Sequence, residues 1–173
     1  YTLGALTFLE QYASRFVHEI GEAWSDGRIE VAHEHFASER LRDFLTSQWR
    51  PLSDRAQGPS VVCANLPGER HDLGLHMVAV VMAMSGFRVV FLGSDTPTDD
   101  IARAVERMDD AIAVLISVSR ASNPLTTQRA LARLRGRLNA GCQLLAGGGG
   151  APHNVEGVRS MDNLRELGRW APS

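Results

Sequence analysis

From Ser60 onward the chain is built from short apolar runs that alternate with amphipathic segments, and this alternation limits the folds open to it more than any other feature. The runs VVCANL, RVVFLG, AIAVLISV and QLLAGG are rich in Val, Ile and Leu and show no polar alternation. Strands of that kind are buried on both faces, as in a parallel sheet covered by helices. Between them lie LGLHMVAVVMAMSG, TDDIARAVERMD and NPLTTQRALARLRGRLNAG, each with helical spacing and two of them ending on glycine. Thr98 followed by Asp99 and Asp100 is a good helix start, because carboxylates favour the positive end of the helix dipole. MDNLRELGRW supplies a last short helix. The order strand–helix–strand–helix predicts an α/β fold with a doubly wound parallel sheet over residues 60–173.

Residues 1–50 read differently. LGALTFLEQYASRFVHEIGEAW places Leu6, Leu9, Tyr12, Ala13, Phe16, Val17, Ile20 and Trp24 close to a 3.6-residue period, and SDGR at 25–28 interrupts it. IEVAHEHFASERLRDFLTSQW resumes helical spacing through Val31, Glu34, His35, Ser38, Leu41, Phe44 and Leu45. Two such helices bury little by themselves, so their apolar faces call for the sheet domain or for further helices upstream. The expected division is a partial helix bundle over 1–52, a linker in PLSDRAQGPS (51–60), and the sheet domain after it.

Composition excludes several function classes. The net charge is −2 and there is no basic tract, so a nucleic-acid surface within these residues is not expected. No apolar run approaches the roughly 18 residues of a membrane span. Cys63 and Cys142 both sit in apolar runs and read as core thiols, neither ligands nor a disulfide. The chain begins at Tyr1 and carries no signal peptide, which reads as a cytoplasmic protein trimmed from a longer one.

In an open parallel sheet, ligands bind outside the carboxyl ends of the strands. Here those ends carry GERHDLG (68–74), GSDTP (93–97), SVSRASNP (117–124) and GGGGAPHN (147–154), all small or polar. His71 lies at the first of them. Alone, a loop histidine is most simply a solvated residue. Glu69, two residues before it, is within reach of one imidazole nitrogen, which would leave the other as an acceptor; that is how metal-ligating histidines are held. One histidine cannot hold a bare ion, so a metal there would arrive already coordinated in a macrocycle. The glycines 147–150 follow the fourth strand and open no helix, so they are not a dinucleotide fingerprint. They read either as a flexible loop or as a place where something bulky approaches the backbone.

Glu69-x-His71-x-x-Gly74, followed by Ser117 and Ser119 at the third strand end and by Gly147-Gly148, resembles the D/E-x-H-x-x-G…S-x-L…GG pattern of cobalamin-binding domains. The resemblance spans nearly all of residues 60–170. It implies a Rossmann-like (flavodoxin-like) sheet that binds cobalamin with its nucleotide base displaced. His71 would be the lower axial ligand of cobalt, oriented by Glu69, with Gly74 allowing the corrin to approach. Ser117, Gly147 and Gly148 would accommodate the displaced tail in a slot of the sheet, with Ser119 beside them. Two positions depart from the pattern: Glu69 stands where many members have Asp, and Ser119 where leucine or threonine is usual.

Upstream, Trp24 followed after nine residues by Glu34-His35 resembles the W-x9-E-H signature of the helical cap in light-sensing cobalamin proteins, the CarH/LitR-type regulators of the MerR class and related antirepressors. This implies that Trp24 covers an adenosyl group above cobalt, with Glu34 and His35 as polar contacts. It implies adenosylcobalamin in the dark and hydroxocobalamin or a histidine-ligated form after light breaks the cobalt–carbon bond. It further implies a homo-oligomer or a transcription-factor partner, with DNA bound only through a domain outside this chain. Where some sensors carry a histidine directly after the tryptophan, this chain has Ser25, so His33, His35 or water would have to fill that role. Three readings stand at this point: a light-responsive regulatory module without catalytic function, a corrinoid carrier domain of a methyltransferase or mutase, and a related domain that takes another tetrapyrrole such as haem.

Overall fold

The computed structural model describes residues 2–170; Tyr1 and residues 171–173 of the two expected domains lie outside the described residues. Five strands form one sheet: β1 (Ser60–Ala64), β2 (Arg88–Gly93), β3 (Ala111–Ser117), β4 (Gln143–Gly147) and β5 (Val158–Met161). Their order is β2-β1-β3-β4-β5 and every pairing is parallel. Val62 lies opposite Val90 on one side and Val114 on the other, and Leu115 lies opposite Leu145.

Alternate residues of each strand feed separate cores. Val61, Cys63, Ala113, Leu115 and Leu145 face a core shared with the N-terminal helices, α4 (Leu73–Met84) and α7 (Leu164–Trp170). Val62, Ala64, Val114, Ile116 and Leu144 face the core under α5 (Thr98–Glu106) and α6 (Pro124–Arg137). α4 is apolar nearly all round because it is a middle layer, sandwiched between the sheet and α3 (Val31–Arg55). It stops at Ser85, and Gly86 follows with φ of +86°. α6 ends at Leu138, ahead of Gly141. Its N-cap, Asn123, accepts from the N–H groups of Leu125 and Thr126.

The sheet contains one strand more than the sequence suggests. β5, VRSM, is four residues long and carries two polar side chains at the sheet edge, so it lacks the apolar run that marks the others. Both cysteines are free and buried, and burial pushes both thiols up.

The N-terminal region is helical, with two departures from the sequence reading. The first helix is continuous but not uniform: α1 (Thr2–Phe8) passes through a π-helical turn (Leu9–Ala13) into α2 (Ser14–Ser25). Leu9 and Ala13 are buried, whereas Tyr12, Phe16 and Trp24 are exposed. The second departure concerns the linker. α3 continues through Pro51 to Arg55, leaving only residues 56–59 before β1. Leu45, Trp49 and Ser53, spaced by four, form one buried stripe, and Pro51 faces solvent. The Ser53 hydroxyl accepts from the Val89 N–H at 2.8 Å, which fastens the end of α3 to β2. Packing along that stripe outweighs the hydrogen bond lost at proline. No helix among the described residues is long and apolar enough to cross a membrane.

Candidate functional site

Glu69 organises the loop after β1. It is only 6% exposed, yet its carboxylate is fully engaged. Oε1 accepts from the His71 N–H at 2.9 Å and lies 2.7 Å from His71 Nδ1. Oε2 accepts from the Ser119 N–H at 2.9 Å, from the Ser119 hydroxyl at 2.7 Å and from the Ser122 hydroxyl. Burial opposes ionisation, but the hydroxyls of Ser122 and Ser119 and the N–H groups of His71 and Ser119 outweigh it and hold the carboxyl at about 2. A carboxylate can only accept, so in the neutral imidazole Nδ1 carries the proton and Nε2 keeps its lone pair. The His71 side chain is 67% exposed, and Nε2 has no hydrogen-bond partner among the described residues.

The backbone around His71 is clamped from three sides. Asn65, fully buried just past β1, donates from Nδ2 to the His71 carbonyl at 3.0 Å. Asp95, in the loop after β2, donates its N–H to the Glu69 carbonyl, and its carboxylate accepts from the Gly68 N–H. Arg42 of α3 binds Asp72, the next residue along. No group of three metal-binding side chains occurs among the described residues.

A cavity of about 500 Å³ opens beside this loop. Gly74, Ser117, Gly147 and Gly148 line it at the strand ends; Met77, Leu115, Leu145 and Leu167 form apolar walls. The three glycines keep close clearances, against backbone at Gly147 and Gly148 and against a hydroxyl at Gly74. A Cβ at Gly74 would stand 2.7 Å from Ser117 Oγ, and one at Gly147 would stand 3.0 Å from the Met161 carbonyl. Gly148 has φ of +104°, and its Cβ would meet the Val118 carbonyl at 2.4 Å. β3 joins the two halves of the site: Ser117 faces the cavity, while Ser119, two residues on, holds Glu69. Ser119 thus belongs to the histidine cluster and not to the cavity lining.

The N-terminal candidates make contacts of their own. Trp24, in the last turn of α2, is 52% exposed. Glu34 and His35 pair with each other at 2.9 Å, and Glu34 also accepts from Ser38. His33 is used locally: its Nδ1 accepts from the Glu30 N–H and completes the cap of α3. No hydrogen bond or ion pair among the described residues ties Trp24, Glu34 or His35 to Glu69 and His71.

Sequence reasoning missed Asn65, Asp72 and Ser122. Ser122 had a signal, since SVSRAS repeats a serine at the third strand end. Asn65 had one as well: it is a polar residue closing an apolar strand. Its Oδ1 is buried without a partner.

Comparison with known proteins adds an independent line. Residues 59–159 match the family described as B12 binding domain, and residues 2–46 match a second family of the same description. The chain is 31% identical over 152 residues to the HTH-type transcriptional repressor CarH of Myxococcus xanthus, covering 86% of this chain and 49% of the repressor. It is 30% identical over 137 residues to the HTH-type transcriptional repressor CarA of the same organism, covering 78% of this chain and 46% of CarA. The chain therefore spans about half the length of these curated relatives. Among solved structures, the monomethylamine corrinoid protein of Methanosarcina barkeri superposes with a TM-score of 0.74 over 96% of this chain and 82% of that one, at 16% identity.

Proposed function

The chain belongs to the family of B12-binding domains, and from that premise we propose that it is a cobalamin-dependent, light-responsive regulatory module. Cobalamin binding follows from the family; the adenosyl form, the response to light and the control of transcription are the reading we add. The carrying observation is the Glu69–His71 pair, whose free Nε2 stands at the strand ends beside a glycine-lined cavity.

The residues present fit the cofactor. His71 Nε2 would serve as the lower axial ligand to cobalt, with Glu69 fixing the ring and its tautomer. The space kept open by Gly74, Gly147 and Gly148 would take the displaced nucleotide tail, against the apolar walls of Leu115 and Leu145. Trp24, Glu34 and His35 would form the upper cover. In its adenosyl form the cofactor supplies a weak cobalt–carbon bond that visible light breaks. Loss of the upper group would remove what Trp24 packs against, so the helical region would relax and alter self-assembly or its contact with a transcription-factor partner. DNA contact would belong to a domain outside this chain, in keeping with the net charge of −2. This is a cytoplasmic, non-catalytic role.

One feature favours a second reading, a corrinoid carrier. Trp24 is half exposed and Glu34 is satisfied by its own helix, which leaves the upper side open to a partner enzyme. A single experiment separates the two. The protein is loaded with adenosylcobalamin in the dark and its absorption spectrum and elution volume are recorded before and after green light. Photolysis with a change in elution volume or partner affinity supports the regulator. Photolysis with neither change favours the carrier, and no binding overturns both.

A further inference from the structure

One wall of the cavity comes from the helical region. Glu10 and Ser14 line it together with residues of α4, β3, β4 and α7. Glu10 lies in the π-helical turn, a widened segment that commonly marks a functional position in a helix. Its carboxylate takes two hydrogen bonds from Arg165 in the first turn of α7: from the backbone N–H at 3.1 Å and from Nε at 2.5 Å. Ser14 directs its hydroxyl at Met77 Sδ of α4, 3.5 Å away. Leu9 and Ala13 of the same turn are buried in the core shared with α4 and α7. The N-terminal helix is therefore fastened to both helices that flank the cavity, and the residues that fasten it line the cavity.

We infer that the Glu10–Arg165 pair is a latch on the tail cavity, so that filling the cavity and docking the N-terminal helix are linked, and the chain selects corrinoids that carry a nucleotide tail over those that lack one. This rests on the cobalamin reading. A ligand that fills a space walled by two bodies stabilises their contact by its differential affinity for the closed arrangement. A tail among Met77, Leu145 and Leu167 excludes water from the latch, and a charge-assisted pair strengthens as its surroundings dry. A corrinoid without a tail presents the same cobalt to His71 but leaves the space beside Glu10 wet.

Hydrogen exchange tests this on the wild-type chain with cobalamin and with cobinamide, which has no nucleotide tail. Cobalamin should slow exchange across residues 8–16 by about tenfold, and cobinamide should leave it near the ligand-free rate, although both protect the loop 68–74. Glu10→Gln should narrow the ratio of cobalamin to cobinamide affinity by about tenfold. Equal protection of residues 8–16 by the two corrinoids overturns the inference while leaving cobalamin binding intact. Binding of neither corrinoid overturns the cobalamin reading and the latch with it. The wild-type comparison stands even if the variant folds poorly.

Discussion

Arg42 of α3 grips both carboxylate oxygens of Asp72, the residue that directly follows His71. Its Nε lies 3.1 and 3.2 Å from the two oxygens and its Nη2 lies 2.9 Å from Oδ1. Asp72 is only 15% exposed, so this is a partly desolvated, two-pronged pair between the helical region and the ligand loop. Arg42→Met keeps the apolar stem but leaves Asp72 without its partner. It should cost about 2 kcal/mol of stability, read from urea unfolding of the cofactor-free chain. Asp72→Asn should cost less, and the double variant less than the sum of the two. Additive losses would mean that the pair carries no coupling.

Glu69 combines more hydrogen bonds than any nearby side chain with almost complete burial. Glu69→Gln keeps the shape but puts an amide N–H where an acceptor is needed, facing Ser119, Ser122 or His71. Cobalamin affinity should fall about 10- to 100-fold, the usual cost of disturbing the group that orients a ligating histidine. An absorbance titration reads it directly. His71→Ala should remove the protein's own ligand and change the spectrum of any cobalamin still bound. An unaltered spectrum and affinity in that variant would reject His71 as the ligand.

How much of this was legible beforehand depended on range. The three central strands could be read because double burial leaves no polar alternation in runs such as AIAVLISV, and β2 because the edge run RVVFLG is still apolar. β5 could not, since an edge strand of four residues buries too little to need apolar side chains. The π-helical turn was hidden because Tyr12 and Phe16 keep the 3.6 period in sequence while pointing to solvent in the fold. Glu69 and His71 are two residues apart, so a chemical pairing between them was visible locally. The contacts of Arg42 with Asp72 and of Trp49 with His76 join residues 30 and 27 positions apart, and nothing in either segment alone marks its partner. Trp24 and Glu34-His35 stand out only by resemblance: Trp24 and His35 are exposed and Glu34 is bound within its own helix, so packing gives no reason for the types found there.

Two glycines of the candidate site should respond differently to the same substitution. Gly148→Ala meets backbone at 2.4 Å in a left-handed conformation, so it should destabilise the fold itself, by more than about 1 kcal/mol. Gly74 is helical, and its new Cβ would meet only the rotatable hydroxyl of Ser117. Gly74→Ala should therefore leave the ligand-free chain as stable as before or slightly more so, since alanine is the better helix former. Its cobalamin affinity should nevertheless fall by at least about tenfold, because the methyl group fills the cavity mouth. Thermal unfolding and an absorbance titration on the same samples separate the two effects.

Trp24 tests the upper cover. If it packs against the adenosyl group, Trp24→Ala should erase most of any preference for adenosylcobalamin over hydroxocobalamin. An exposed tryptophan contributes little to the fold, so the thermal midpoint of the ligand-free chain should barely move. Equal preference before and after substitution would remove Trp24 from the site.

His76 should make stability depend on pH near neutrality. It is 5% exposed, its ring lies tilted against that of Phe91 with centroids 4.4 Å apart, and its Nδ1 accepts from the Trp49 indole N–H at 3.2 Å, with the Thr46 hydroxyl at 3.3 Å. Because the indole can only donate, a proton on Nδ1 would set two donors against each other. Burial lowers the pKa from its ordinary 6.5; Asp72, 4.0 Å from Nε2, pulls it upward, while Arg42 and Arg50 push it down. The folded chain thus binds fewer protons here than the unfolded chain, and stability rises with pH. The contribution is complete above about 6.5 and is lost as the pH falls from there toward the depressed folded value. Urea midpoints measured from pH 7.5 down to 5.5 should decline in the wild type. His76→Gln keeps an acceptor for Trp49 but cannot titrate, so its midpoint should hold nearly level over that range, and a decline equal to the wild type would assign the effect to other groups.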